Sequence, residues 1–242
     1  MITIFRKELT TFFVSLIGYI SIAVFLVLMG LIMWVFPNNA LDNGYAHLDQ
    51  LFDNAPLVFM LLIPAVTMRM FSEEKRAGTL ELLATRPVTE FQIVMGKFLA
   101  ANCLVIFSLL PTLLYYYTIY QLGAPAGNLD SGATWGSYIG LILLSAALVS
   151  IGLFASSITD NQIVAFILAA FISFIIYLSF DAISGLGLFG GGADDLIQSI
   201  GIQYHYNSLS RGVVDTRDVI YFFSLIVIFL LSTKTALESR KW

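Results

Sequence analysis

Long apolar runs, several of them close to the length of a bilayer's hydrocarbon core, alternate with short polar breaks along this chain. A hydrocarbon core about 30 Å thick needs roughly 20 apolar residues in helical form. Six stretches meet or approach that length: 16–36, 55–71, 98–120, 138–158, 163–180 and 219–233. The second is short and carries Pro64, and the third carries Pro111. Ahead of them, Ile2, Ile4, Phe5, Leu9, Phe12 and Phe13 alternate with Arg6, Lys7, Glu8 and Thr10. That spacing predicts an amphipathic helix over 1–13, lying at the membrane interface. The predicted fold class is an all-α polytopic membrane protein, one six-span domain over 1–242.

One break differs from the others. Between the second and third runs, 72–97 is dense in charge of both signs: Glu73, Glu74, Lys75, Arg76, Glu81, Arg86, Glu90 and Lys97. Ser72 reads as an N-cap there, and Glu73 and Glu74 suit the positive end of the helix dipole. Ala77, Leu80, Leu83 and Ala84 then fall on one helical stripe, which predicts a short amphipathic helix along the membrane surface. Gly78 lies inside that stretch, where glycine costs about 1 kcal/mol. The spacing alone fits a solvated connecting helix as well as a partner-docking one. After Arg86-Pro87, Thr89 with Gln92 three residues on forms a capping box that starts the next helix. Thr159 and Gln162 repeat that pattern between the fourth and fifth runs.

Composition narrows the class. Only 12% of residues are charged against 58% hydrophobic, with a mean hydropathy of +0.86. Soluble domains average about 25% charged. The apolar run after Arg6 and Lys7 is too long for a cleavable signal. With the N-terminus inside, Arg6, Lys7, Arg69, Lys75, Arg76, Arg86, Lys97, Lys234, Arg240 and Lys241 all fall on the cytoplasmic side, ten of the twelve basic residues. The positive-inside rule therefore predicts that both termini are cytoplasmic, with the inner membrane as the expected location. Aromatics such as Trp34, Tyr115–Tyr117, Trp135 and Tyr221 cluster at the opposite helix ends, where amphipathic rings anchor. Cys103 is the sole cysteine, so no intramolecular disulfide can form.

The run from Glu74 through Gly78, Thr79 and Glu81 to Leu83, then Arg86-Pro87-Val88-Thr89 and Gly96-Lys97, resembles the cytoplasmic segment of ABC-2 type transporter permeases. The run from Tyr206 to Phe222 resembles the same family's outer segment before the last span. More narrowly, the chain resembles the permease subunits of gliding-motility-associated ABC transporters. The resemblance implies that 72–84 is a coupling helix docking a separate ATP-binding subunit, with Glu73, Glu74, Arg76, Gly78, Thr79, Glu81 and Arg86 as contacts. It implies a second permease copy, or a related permease, as partner in the bilayer. It also implies export or mechanical work driven by ATP bound elsewhere. A non-transporting membrane anchor of a motility or secretion complex is the alternative.

Other chemistry is thin. Gly96-Lys97 lacks the glycine five residues earlier that a P-loop needs, since Phe91 stands there, and Phe98 replaces the Ser or Thr. No catalytic residue, cofactor, metal site or nucleic-acid partner is therefore expected in this chain. Gly185-Leu186-Gly187-Leu188-Phe189-Gly190 matches a dinucleotide fingerprint in letters only, because it follows a membrane run rather than a strand. His47 and His205 lack ligand spacing, and Asp181 and Asp218 stand at helix ends, away from the midplane an intramembrane protease needs. The stretch 181–217 is glycine-rich and apolar in patches. It fits either a loose loop or short helices dipping into the outer leaflet, 194–200 among them.

Overall fold

The computed structural model describes residues 1–37, 39–42, 44–80, 88–186 and 191–239. Among these the secondary structure is entirely helical. The amphipathic helix α1 (Ile2–Val14) leads at Ser15 into α2 (Leu16–Trp34). The Ser15 hydroxyl accepts from the Ile17 amide, capping α2 at the corner. Next come α3 (Asp49–Thr67) and α4 (Arg69–Arg76), separated by the single residue Met68.

The third span is α5 (Glu90–Leu109), a 3-10 turn at Leu110–Thr112 that carries Pro111, and α6 (Leu113–Leu122). Its expected capping box is present: Thr89 Oγ1 accepts from the Gln92 amide at 3.3 Å while Gln92 Oε1 faces the Thr89 amide. The fourth span is α7 (Ser131–Ile158), and the fifth is α8 (Gln162–Phe174), a π-helical turn at Ile175–Ser179 and α9 (Phe180–Ser184). Two short helices, α10 (Gly191–Gln198) and α11 (Ile202–Leu209), precede the last span, α12 (Thr216–Glu238).

Six helical stretches are thus long and apolar enough to cross a membrane: Leu16–Trp34, Asp49–Arg76, Glu90–Leu122, Ser131–Ile158, Gln162–Ser184 and Thr216–Glu238. They overlie the six predicted runs. The second is far longer than expected because α3 begins at Asp49 and α4 continues it to Arg76. Hydropathy alone misses both polar extensions.

The α7 span sits at the centre. Its apolar window is 72% buried, against 28% for the first and fifth spans and 22% for the sixth. Small residues make this possible, since helices in a membrane pack closely only where side chains are short. Gly152 is the tightest case: a Cβ there would stand 2.1 Å from Thr67 Oγ1 of α3. Around α7 the core gathers Phe52, Phe59, Met60, Ile63, Val94 and Phe222.

Two caps differ from expectation. The helix after the 159–161 turn is capped by Asn161, whose Oδ1 accepts from the Ile163 amide, while Thr159 Oγ1 accepts from the Asn161 amide. Ser72 is not an N-cap either, because it lies inside α4 and its hydroxyl bonds Met68 O four residues back. Continuation of the second span into α4 removes the helix start that Ser72 was expected to mark.

Candidate functional site

The amphipathic helix, the second and third spans and the α4 segment converge at the charged end of the bundle. On α1, Ile4, Glu8 and Phe12 are all buried. These positions recur every four residues and so share one face. The sequence reading placed Glu8 among the polar positions. The structure instead points it inward, where it meets Lys97 of α5, which is 1% exposed.

Lys97 Nζ donates to Glu8 Oε1 at 2.9 Å and to Met70 O at 2.6 Å, and lies 2.9 Å from Glu74 Oε2. Two of the ammonium's three donors are thus used in hydrogen bonds, and Glu74 Oε2 adds an ion-pair contact. Lys7, half exposed, closes the cluster from above: its Nζ is 2.7 Å from Glu74 Oε1 and 3.2 Å from Glu8 Oε1. Two cations therefore face two carboxylates, which is the condition for burying charge at tolerable cost. Burial by itself would raise the Glu8 carboxyl, but the Lys97 and Lys7 ammonium groups outweigh it and hold that carboxyl below its ordinary value. Burial likewise works against the charge on Lys7, and the two carboxylates overcome it, so this amine is pushed up. The Lys97 ammonium also lies 5.1 Å from the Phe71 ring centroid, and Arg69 lies 5.2 Å from that of Phe12.

The end of α4 is built by local chemistry. Ala77 is its C-cap, and Gly78 follows at φ +67°, the left-handed conformation in which a helix commonly terminates. The Gly78 amide donates to Lys75 O, and Thr79 Oγ1 donates to Glu74 O at 3.3 Å, using carbonyls the helix leaves open. Gly78 is therefore a stop. Helix α4 ends at Arg76, and Thr79 and Leu80 are helical again beyond the break. The expected single stripe through Ala77 and Leu80 is interrupted at this glycine, and Leu83 and Ala84 lie outside the described residues.

The residues expected to contact a partner separate into three groups. Glu73, Arg76, Gly78 and Thr79 are exposed. Glu74 is turned inward to Lys97 and Lys7. Glu81 and Arg86 lie outside the described residues. A cleft of about 250 Å³ opens here, walled by Lys7, Arg69, Glu73, Glu74, Thr79 and Lys97.

Residues of α7 complete the site and were not singled out in the sequence. Ser156 Oγ accepts from the Phe71 and Ser72 amides at 3.0 and 3.1 Å and donates to Met68 O at 2.8 Å. Lys75 Nζ donates to Ser157 O. The α4 segment is thus fastened to three neighbours: α1 and α5 through charge, and α7 through hydroxyl and carbonyl.

A family model described as ABC-2 family transporter protein matches residues 9–176, more than half of the chain. The chain belongs to the ABC-2 family of transporter proteins. The matched region runs from within α1 into the fifth span and contains the charged site except for Lys7 and Glu8. No curated protein matches the chain. As an ABC-2 protein with six candidate spans, it is a multi-pass membrane subunit of a transporter class that works with an ATP-binding subunit.

At the opposite end of this ABC-2 subunit, α10 and α11 are tied to the last span. His205 Nδ1 lies 2.7 Å from Asp218 Oδ1 and Nε2 lies 2.9 Å from Ser199 O. The ring stacks on Tyr221 at 3.9 Å, and the Tyr221 hydroxyl bonds Ile200 O. Tyr206 of α11 is buried and donates to Phe52 O of α3. Asp218 was set aside as a helix-end acid; its observed role is to hold His205.

Proposed function

We propose that this chain is an inner-membrane permease subunit, both termini cytoplasmic, that couples ATP hydrolysis by a separate subunit to export or mechanical work. On this reading 69–86 is the coupling segment, and Glu73, Arg76 and Thr79, with Glu81 and Arg86, meet the ATP-binding subunit. Glu74 serves the same contact from behind, by fixing α4 to Lys97 and Lys7. Gly78 sets where the segment turns. Residues 191–209 form a re-entrant element on the far side. ATP is held by the partner, and this chain supplies no nucleotide site of its own.

The observation that carries this reading is the fastening of α4. A segment that receives force must be stiff relative to the spans it moves, and α4 is joined to α5 by the buried Lys97–Glu74 pair, to α1 by the half-exposed Lys7–Glu74 pair and to α7 by hydrogen bonds. Its outer face meanwhile presents Glu73 and Arg76. A second copy, or a related permease, completes the membrane pathway. The resemblance to gliding-motility-associated permeases (the GldF type) supports a role in bacterial gliding.

The test is recovery of an ATP-binding subunit with the tagged chain from detergent-solubilised membranes, scored by ATP photolabelling. Glu73→Lys with Arg76→Glu should reduce recovery at least fivefold. Full recovery and full ATP hydrolysis in that double variant would refute the docking assignment. A non-transporting anchor would bind the subunit without stimulating hydrolysis.

A further inference from the structure

The joint between α3 and α4 is built around a side chain from another span. The first amides of a helix have no partner within it; with Met68 as N-cap of α4 these include Arg69, Met70 and Phe71, followed by Ser72, whose ordinary acceptor would be Met68 O. Ser156 of α7 accepts from the last two, at 3.0 and 3.1 Å. Its own proton goes to Met68 O at 2.8 Å. A hydroxyl has one donor and two acceptor positions, and all three are used. Ser156 is fully buried.

The reach of Ser156 depends on a close approach one turn away. Gly152 lies four residues before it, on the same face of α7. A Cβ at 152 would stand 2.1 Å from Thr67 Oγ1 and 2.9 Å from Thr67 Cβ. Only glycine lets α7 come near enough to α3 for the next turn to deliver a hydroxyl to α4. At the next residue of α7, Lys75, about one turn along α4 from Ser72, donates to Ser157 O. Successive levels of α7 therefore engage successive levels of α3 and α4.

Backbone amides facing hydrocarbon are costly unless a partner is present. An α4 start tied only to its own chain could slide or fray under load. One satisfied by Ser156 is pinned to the most buried span of the bundle. We propose that Ser156 is the positioning residue that joins the coupling segment to α7, so that displacement of α4 moves the second and fourth spans together. Gly152 sets the approach, and Lys75 on Ser157 O prevents rotation of α4 about the Ser156 contact. This inference rests on the coupling reading above and adds where the motion goes.

The experiment uses the full chain with its ATP-binding subunit in lipid nanodiscs. Wild type, Ser156→Ala and Ser156→Thr are compared by amide hydrogen exchange and by ATP hydrolysis of the complex. Ser156→Ala should raise exchange at Phe71 and Ser72 at least tenfold and leave binding of the ATP-binding subunit within twofold. It should lower permease-dependent stimulation of ATP hydrolysis at least fivefold. Ser156→Thr, which retains the hydroxyl, should recover most of both effects. Gly152→Ala keeps Ser156 but displaces it, and should give the Ser156→Ala pattern.

Unchanged exchange at Phe71 and Ser72 in Ser156→Ala would overturn the proposal. So would exposed amides with full stimulation, or loss of ATP-binding-subunit recovery along with stimulation, which marks a folding role only. Failure of the coupling reading shows differently, as a wild-type complex whose ATP-binding subunit is indifferent to Glu73→Lys with Arg76→Glu.

Discussion

Lys97 Nζ stands 2.9 Å from Glu8 Oε1, across 89 residues of sequence and with both groups buried. This contact attaches the amphipathic helix α1 to the third span and, through Glu74, to α4. Removing one partner of a buried pair leaves the other charge uncompensated, at a cost of about 3–5 kcal/mol. Lys97→Met should therefore destabilise the protein strongly in thermal unfolding. Lys97→Met with Glu8→Gln and Glu74→Gln together should recover much of the loss, because no buried charge is left stranded and Lys7, which loses both carboxylates, is half exposed to water.

The same cluster gives a pH window. The Glu8 carboxyl is held below its ordinary 4.5, so its contribution is complete above 4.5 and is lost as pH falls through the lower folded value. The Lys7 amine is held above its ordinary 10.5, so its contribution is complete below 10.5 and is lost as pH rises through the higher folded value. Attachment of α1, followed by the quenching of a fluorophore on residue 1, should be flat from about pH 5 to 10. Glu8→Gln should remove most of the acid-side transition.

Much of this was legible in advance, and the exceptions have physical causes. The six spans follow from hydropathy, and the Thr89 box follows from local spacing, because each depends on residues near in sequence. Glu8 was placed among the polar positions by its charge, although Ile4, Glu8 and Phe12 recur every four residues on one face. Its partner was not legible, because nothing local pairs Glu8 with a lysine 89 positions away. Ser72 and Thr159 failed as caps for a shared reason. A cap signal says that a helix can begin there, and the continuation of α3 into α4 and the nearby Asn161 decided otherwise. Ser156 is one of several serines on α7, distinguished only by which neighbour it reaches.

Gly152→Ala should destabilise the bundle by about 1–3 kcal/mol, the usual range for overpacking a filled interior. Thermal unfolding of the purified chain measures this. Gly192, whose added Cβ would meet nothing within 4 Å, provides the control: Gly192→Ala should change stability by less than about 0.5 kcal/mol.

At the far end, His205→Ala should free α10 and α11 from the last span. Amide exchange across 199–209 should rise at least fivefold while the charged end stays protected. Asp218→Asn keeps a polar partner for Nδ1 and should have a smaller effect than Asp218→Leu.

The most direct measurement is recovery of a photolabelled ATP-binding subunit with the tagged chain, comparing wild type with Glu73→Lys, Arg76→Glu and the double variant. The coupling-segment account predicts a graded loss, at least fivefold in the double variant, with thermal stability of the permease unchanged. Equal recovery from all four proteins, with undiminished ATP hydrolysis, would contradict it.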